Sequence, residues 1–210
     1  MKDAIEAIGV PHVEVGAILI NDVPSTFSAQ VKANDRISVY PIDELPDLQD
    51  GSLLRPPVSD PPRFILDVHL GSLARLLRML GFDVYYDNHY SDQRIAELAS
   101  IEDRIVLTRD VGLLKHKIIT WGRWLRSQHT EEQFNEVKNL YNLSQHFKPF
   151  SRCISCNGFI HSVSKQNVQS LVPIMTYEVY SSFYQCSNCK KVFWKGTHFD
   201  KMVNKIRSLT

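Results

Sequence analysis

The sequence predicts an α/β protein in which a parallel sheet is flanked by helices and followed by a small cysteine-rich domain. Three observations support this fold class. Short apolar runs alternate with helical patterns over residues 63–148, which favours parallel strands joined by helices. All four cysteines fall in two Cys-x-x-Cys pairs within residues 149–210. Six of the ten prolines lie between residues 41 and 62, so a linker separates a short N-terminal segment from the main body.

The N-terminal segment, residues 1–42, combines a short helix with two strands. A helix-like pattern spans residues 3–8, and apolar strands are predicted at residues 15–21 and 36–40. The acidic, proline-rich residues 43–62 cannot form a regular helix or a central strand, and we interpret them as a linker.

The main body begins with a strand and an amphipathic helix. The apolar residues 63–67 predict a short buried strand. Apolar residues at helical spacing then predict a helix over residues 70–81, which Gly81 closes as a C-cap. These apolar residues are Leu70, Leu73, Leu77 and Leu80.

Predicted strands and helices continue to alternate through the rest of residues 63–148. Strands are predicted at residues 82–86 and 104–108, and another at 117–120, alone or together with 121–127. Between the first two, Ser91 is the expected N-cap of a helix that runs to about residue 101 and buries Ile95 and Leu98. Thr130 and Gln133 predict a capping box that opens the last helix. The expected buried face of that helix consists of Phe134, Val137, Leu140 and Tyr141.

Composition and charge limit the class of protein. The chain is 43% hydrophobic and 22% charged, as in globular proteins, and it lacks the roughly 20-residue apolar run of a membrane-spanning helix. The N-terminus lacks a signal-peptide pattern, so we expect a cytoplasmic protein without a membrane partner. Residues 151–210 contain eight Lys/Arg and two Asp/Glu. This excess of positive charge indicates either an anionic partner or a solvated basic tail.

Aspartates stand where parallel strands are expected to end. Asp67 ends the first strand of the body, and Asp110 lies just beyond the strand at 104–108. Asp92 lies in the first turn of the helix that Ser91 is expected to cap. Ligands bind beyond the carboxyl ends of such strands. Carboxylates without histidine favour Mg²⁺ or Mn²⁺, which can activate water for attack on a phosphodiester.

Each of these residues also has a purely structural interpretation. Asp92 and Asp110 can cap or stabilise helix N-termini, and Asp67 can be an ordinary loop carboxylate. Arg75 and Arg78 can bind phosphate or lie on a solvated helix face. Arg109 can contact substrate or pair with Asp110, and the sequence leaves these alternatives open.

The two cysteine pairs predict a four-thiolate metal site. Cys153-x-x-Cys156 and Cys186-x-x-Cys189 have the spacing of a zinc ribbon or knuckle, and rubredoxin-like iron is the main competitor. Four protein ligands leave no open position, so the predicted Zn²⁺ is structural. Lysines and aromatic residues around the pairs can hold a single nucleic-acid strand, although Phe193 and Trp194 can instead pack the core of the ribbon. The residues in question are Phe183, Tyr184, Phe193 and Trp194 with Lys190, Lys191 and Lys195.

Three segments of the chain resemble the Mut-seven C-terminal RNase family. They are "FILDVHLGSLARLLRMLGFDVYY", "SDQRIAELASIEDRIVLTRD" and the terminal CxxC…CxxC. The resemblance implies a PIN-like nuclease domain with an appended zinc ribbon and a preceding ubiquitin-like module. The pieces "ILINDVP" and "NDRISVYP" resemble a β-grasp module of the sulfur-carrier type. That module is expected to be incomplete, because its first hairpin would precede residue 1.

The resemblance also assigns roles to individual residues. The family's acidic positions fall on Asp67, Asp92 and Asp110, and its helix arginines on Arg75 and Arg78. His69 stands at a position expected to be apolar, and a fourth acid, for which Asp87 and Glu102 are candidates, is not placed.

The resemblance implies one function, and two alternatives stay open beside it. The implied function is a metal-dependent ribonuclease that cuts single-stranded or structured RNA, with phosphate contacts from Arg75 and Arg78. The residue pattern adds Arg109, Lys190 and Lys191 as expected contacts. The first alternative is an RNA-binding adaptor without catalytic activity. The second is a protein-interaction role of the β-grasp segment.

Overall fold

The computed structural model describes residues 1–47 and 54–209 of the chain. Its N-terminal module packs helix α1 against an antiparallel sheet with strand order β2-β1-β3. The elements are α1 (Lys2–Ala7), β1 (Val15–Ile20), β2 (Val23–Ser25) and β3 (Ile37–Pro41). The helix and the two longer strands confirm the elements predicted for this segment, and β2 is an addition to them.

The main body is a four-stranded parallel sheet with the order β5-β4-β6-β7. This arrangement confirms the predicted α/β fold class. The strands are β4 (Arg63–Leu66), β5 (Asp83–Tyr85), β6 (Ile105–Thr108) and β7 (Gly122–Trp124). The connecting helices are α2 (Gly71–Met79), α3 (Asp92–Ile101), α4 (Val111–Leu114) and α5 (Thr130–Leu140).

Helices cover both faces of this sheet because the strand residues alternate between two cores. Phe64 and Leu66 pack with α2 and α5 on one face, whereas Ile65 packs with α3 and α4 on the other. The four leucines predicted for α2 are fully buried. Gly81 follows Leu80, the C-cap residue of α2, with a φ of 98° that suits glycine, and the Phe82 N–H donates to the Leu77 carbonyl as in a Schellman motif.

The structure differs from two predicted details of the body. Residues 117–120 form a turn in which Ile119 is buried, and the strand lies at 122–124, within the alternative that extended the prediction over residues 121–127. Helix α5 begins at Thr130 with His129 as the N-cap residue, so no capping box forms. The Gln133 side chain instead donates to the Ser127 carbonyl (2.9 Å), which joins the helix to the preceding loop.

The C-terminal part is a ribbon with strand order β10-β9-β8, followed by a long basic helix. Its elements are β8 (Ile160–Val163), α6 (Ile174–Val179), β9 (Phe183–Cys186), β10 (Val192–Trp194) and α7 (Thr197–Arg207). Ile206 and Leu209, at the end of α7, pack into the same core as α2 and α5. The ribbon is therefore joined to the body at both of its ends.

The N-terminal module also packs directly on the body. Val13 is fully buried in the core formed by α3 and α4, and Glu14 accepts a hydrogen bond from the Trp124 N–H of β7 (2.8 Å). The predicted linker lies partly outside the described residues, at 48–53. Its Arg55 donates to the carbonyls of Val13 (2.7 Å) and His12 (3.1 Å). The described part of the linker is thus fixed between the two modules.

No helix in residues 1–47 and 54–209 is both long enough and apolar enough to span a lipid bilayer.

Candidate active site and metal centre

The sheet order creates a crevice between β4 and β6. The chain leaves β4 toward β5 through α2 on one face, and it leaves β6 toward β7 through α4 on the other face. The connections therefore diverge at the carboxyl ends of β4 and β6, which is the position where open α/β sheets bind ligands. Asp67 directly follows β4, and Asp110 follows β6 by two residues.

Asp67 is buried and held by three hydrogen-bond donors. One carboxylate oxygen accepts the His69 N–H (2.7 Å), which makes Asp67 the cap of a short 3₁₀ turn. The other oxygen accepts the Arg109 N–H (3.1 Å) and the hydroxyl of Thr108. The carboxylate is thus fixed in orientation at the end of β4, and the capping and site interpretations of Asp67 are compatible.

Asp110 and Asp92 are exposed at the same edge of the sheet. Asp110 caps α4 by accepting the Gly112 N–H (2.7 Å), and its own N–H donates to the Thr108 hydroxyl (2.8 Å). Asp92 is the first residue of α3, but the cap of that helix is Ser91. Asp92 is therefore not required as the capping residue.

The three aspartates are not gathered into a shared metal site as they stand. Within the described residues, the four cysteines are the only group of three or more ligating side chains close enough to hold an ion. Carboxylate oxygens are the ligand type that Mg²⁺ and Mn²⁺ prefer, so the donor chemistry at the crevice fits such an ion. The geometry requires the exposed side chains of Asp92 and Asp110 to turn toward the anchored Asp67.

The three arginines predicted to bind substrate lie in different environments. Arg75 is exposed on α2, and Arg109 contributes its backbone N–H to the crevice, while its Nε is buried without a partner in the described residues. Arg78 is buried, and its guanidinium donates to the carbonyls of Val84 (2.8 and 3.0 Å) and Ser155 (3.1 Å). The expectation of a solvated face is wrong for Arg78, because this residue joins the body to the ribbon.

The two candidates for a fourth acid lie at opposite ends of the sheet. Asp87 follows β5 at the carboxyl edge and accepts the His89 N–H (2.9 Å). Glu102 precedes β6 at the amino edge and pairs with Arg104 (2.8 Å). Only Asp87 is therefore on the side of the crevice. His69 is exposed, so this position does not need an apolar residue.

Two features of the crevice were not predicted. Thr108 links Asp67 and Asp110 through its hydroxyl and is fully buried, and the available sequence signal was a polar residue at the end of an apolar run. Trp124 donates its indole N–H to the Arg109 carbonyl (3.3 Å), and Arg126 stacks over its ring at 4.2 Å. This pair could be recognised only once β7 was known to lie beside β6.

The four cysteines form a cluster of the size that one zinc ion needs. Their sulfur atoms lie within 4.8 Å of one another, with 3.7 Å between Cys153 and Cys189 and 3.4 Å between Cys156 and Cys186. Zinc–sulfur bonds of about 2.3 Å in a tetrahedron require sulfur–sulfur distances of about 3.8 Å. The thiols could therefore hold Zn²⁺ with little rearrangement.

The surroundings of the cluster favour a thiolate at Cys156, whereas burial raises the pKa of Cys153 and Cys189. Burial raises the pKa of Cys156, but the Gly158 N–H and the neighbouring thiols outweigh it and lower that pKa to about 6. The Asn188 N–H also points at the sulfur of Cys186 (3.4 Å). Backbone donors of this kind stabilise the deprotonated sulfur that a metal requires.

The ribbon attaches to the body through Asp83 at the amino end of β5. The Asp83 carboxylate accepts hydrogen bonds from Arg104 (2.8 Å), Asn157 (2.8 Å) and Arg152 (3.2 Å). The Asn157 side chain also accepts the Val84 N–H on the open edge of β5 (3.0 Å). The attachment point thus lies at the end of the sheet opposite the aspartate crevice.

The aromatic residues of the ribbon differ in burial, and its lysines differ in their surroundings. Phe183 is buried and forms the small core, whereas Tyr184, Phe193 and Trp194 are half-buried. The Lys190 ammonium donates to the Ser187 carbonyl (2.7 Å). Lys191, Lys195, Phe193 and Trp194 line surface cavities beside α7.

Comparison with known proteins gives two matches that together cover most of the chain. Residues 62–206 match the model described as Mut7-C RNAse domain, and residues 1–47 match the model described as Mut7-C ubiquitin. No curated protein and no solved structure matches the chain. The match to the Mut7-C RNAse domain therefore spans the residues of the four-stranded sheet, of the crevice and of the cysteine cluster.

Proposed function

We propose, because the chain belongs to the Mut7-C RNAse domain family, that it is a ribonuclease which hydrolyses RNA phosphodiester bonds at the carboxyl edge of its four-stranded sheet. The observation that carries this proposal is the placement of Asp67 and Asp110 on adjacent parallel strands, at the divergence of the chain connections. Asp92 begins the helix that leads from β5 to β6 and stands at the same edge.

The proposed catalytic ligands are Asp67, Asp92 and Asp110, which would hold Mg²⁺ or Mn²⁺. When bound, the ion would supply an activated water and neutralise charge on the leaving oxygen. Asp67 is the anchored member, because three donors fix its carboxylate. Asp92 and Asp110 are exposed and can turn toward an arriving ion.

Cationic groups at the same edge would orient the RNA backbone. Arg75 is exposed on the helix that starts beside Asp67, and Arg109 lies between Thr108 and Asp110. The N-termini of α2 and α3 also point to this edge, where their partial positive charge favours phosphate. Arg78 is left out of the proposed contacts, because its guanidinium is used by backbone carbonyls.

The other two modules have supporting roles in this proposal. Zn²⁺ in the four-cysteine cluster would hold the ribbon folded, and the basic ribbon would help bind single-stranded or structured RNA in the cytoplasm. The ubiquitin-like module is a candidate surface for a protein partner.

One observation favours a second function, an RNA-binding adaptor without catalysis. In the described residues the three aspartates do not form a ready metal site, and the Asp67 carboxylate is already used by three protein donors. An adaptor would keep the basic surfaces and the fold while losing the ion.

The test is cleavage of labelled single-stranded and structured RNAs by purified protein in Mg²⁺, Mn²⁺ or EDTA. The variant Asp67→Asn removes the anchored carboxylate, and Glu102→Gln changes an acid at the opposite edge of the sheet as a matched control. Metal-dependent cleavage that is lost in Asp67→Asn and kept in Glu102→Gln supports the nuclease. RNA binding without cleavage by the wild type in either metal supports the adaptor.

A further inference from the structure

A cleft separates the ribbon from helix α7. It consists of two adjoining cavities of about 630 and 370 Å³. The two cavities are adjacent, because they share five lining residues. The shared residues are Ile154, Phe193, Trp194, Phe199 and Met202.

Aromatic side chains that are only partly buried line this cleft, and one of them, Phe199, also packs on Phe150 at a ring separation of 4.7 Å. Phe193, Trp194 and Phe199 are each half-buried, in contrast to the fully buried Phe183 that forms the core of the ribbon. Tyr180 flanks Trp194 with a ring separation of 6.4 Å. The cleft therefore offers flat apolar surfaces that a planar ligand could cover.

The charged residues that line the cleft are all basic. The larger cavity is lined by Lys191, Lys201 and Lys205, and the smaller one by Arg152 and Lys195. No Asp or Glu lines either cavity in the described part of the chain. By contrast, a cavity of about 440 Å³ beside β7 contains both acids and arginines, and Asp43 and Arg123 pair there at 2.9 Å.

Three of the cleft lysines are available for an external anion. Lys205 pairs with Glu131, and Arg152 is held by Asp83. Lys195 lies over the ring of Phe199 at 5.7 Å. Lys191 and Lys201 are exposed and form no ion pair within the described residues. They lie on the ribbon and on α7 respectively, so they stand on the two sides of the cleft.

We propose that the cleft binds unpaired nucleotides of an RNA strand. The bases would stack on Trp194 and Phe199, and the phosphates would lie against Lys191 and Lys201. Stacking on these rings requires bases that are not already stacked in a duplex, which favours a single strand over a double helix. The basic lining favours a polyanion over an apolar peptide. The choice of RNA among single strands rests on the proposed function.

The position of the cleft adds a length requirement. The ribbon attaches at the amino end of β5, whereas the aspartates lie beyond the carboxyl ends of the strands. A four-residue strand spans about 13 Å, so an RNA must extend at least that far to reach both sites. An oligonucleotide that is long enough would therefore bind more tightly than a short one of the same sequence.

The test is fluorescence anisotropy of 5′-labelled oligouridylates with the full-length, zinc-loaded protein carrying Asp67→Asn, which prevents cleavage during the titration. The double variant K191E/K201E is compared with K115E/K117E, which makes the same charge change on exposed lysines around α4. We expect K191E/K201E to weaken binding by about tenfold or more at moderate salt, with a smaller salt dependence, and the control pair to change it little.

Phe199→Leu is a second variant that tests stacking without a change in charge. It should weaken single-strand binding while zinc content and circular dichroism stay unchanged. Equal binding by K191E/K201E and its control, or equal binding of duplex and single-stranded RNA, would overturn the proposal. If the wild type cleaves RNA but these variants bind RNA as well as their controls, the cleft proposal is rejected and the nuclease proposal is kept. Weakened binding in the variants together with an inactive wild type would support the cleft and reject the nuclease.

Discussion

The Thr108 hydroxyl donates to the carboxylate of Asp67 across the two neighbouring strands β6 and β4. The same hydroxyl oxygen accepts the Asp110 N–H at 2.8 Å. One fully buried threonine therefore connects both strand-end aspartates and fixes the distance between the two loops that carry them.

Replacement of Thr108 by valine should impair both stability and the crevice. Valine keeps the shape but removes the donor to a buried carboxylate, so we expect the free energy of unfolding to fall by about 1–3 kcal/mol. If the protein cleaves RNA, the rate should fall as well, because Asp67 loses its fixed orientation. Urea denaturation and cleavage assays measure the two effects. Thr108→Ser retains the hydroxyl and should be close to wild type; equal losses in both variants would contradict this role.

Arg78→Lys should destabilise the protein much more than Arg75→Lys. The Arg78 guanidinium donates to carbonyls of β5 and of the ribbon, and one ammonium group cannot reach all of them. We expect a loss of about 2–3 kcal/mol in the free energy of unfolding, against little change for the exposed Arg75 on the same helix. Thermal denaturation of the two variants side by side is the measurement, and similar midpoints would refute the structural assignment of Arg78.

Acid should weaken the attachment of the ribbon through Asp83. Burial raises the pKa of Asp83, but hydrogen bonds from Arg104 and Asn157 outweigh it and hold that pKa below the ordinary 3.8. A lowered pKa in the folded state means that this stabilisation is complete above pH 3.8 and is lost as the pH falls through the lower value. Denaturation at several pH values should show this acid loss in the wild type and a smaller one in Asp83→Asn. An identical pH dependence of stability in the two proteins would show that Asp83 does not cause the loss in acid.

Removal of zinc should release the ribbon before the rest of the protein unfolds. The four thiols are the expected ligands, and Cys156→Ser removes one of them. We expect about one zinc per chain in the wild type, less in Cys156→Ser, and faster amide exchange at β8–β10 after chelation. Because Asn157 contacts the Val84 N–H, exchange at β5 should also rise. Unchanged exchange at the ribbon after complete loss of zinc would contradict a structural metal.

Arg55→Ala should loosen the N-terminal module from the body. The guanidinium donates to carbonyls of residues 12–15 and stacks on Trp121 at 4.8 Å, and burial lowers its pKa to about 10. Limited proteolysis should separate residues 1–47 from the body faster in this variant. Arg36→Ala, which removes an exposed ion pair with Asp22 in the same module, serves as the control and should digest like the wild type.

The predictable part of the site depends on local patterns. Apolar runs that end in aspartate place Asp67 and Asp110 at strand ends, and parallel pairing then brings both to one edge. The cysteine spacing predicts the cluster for the same reason, because two tight turns suffice to present four sulfurs. In each case the signal is contained in a few consecutive residues.

The parts that could not be predicted depend on long-range packing. Arg78 has the spacing of a solvated face, yet the ribbon, about 75 residues later in the chain, covers it. Residues 117–120 are more apolar than 122–124, but Gly122 permits close approach to Leu114 and Val13, so the strand forms there. The position of the N-terminal module likewise follows from Val13 entering a core that belongs to another module.

Both outer strands of the four-stranded sheet are closed by side chains from other modules. Asn157 of the ribbon accepts the Val84 N–H of β5, and Glu14 of the N-terminal module accepts the Trp124 N–H of β7. Exposed strand edges invite pairing with other chains and aggregation. The two appended modules thus cover the edges of the sheet, and an excised body domain would be expected to self-associate.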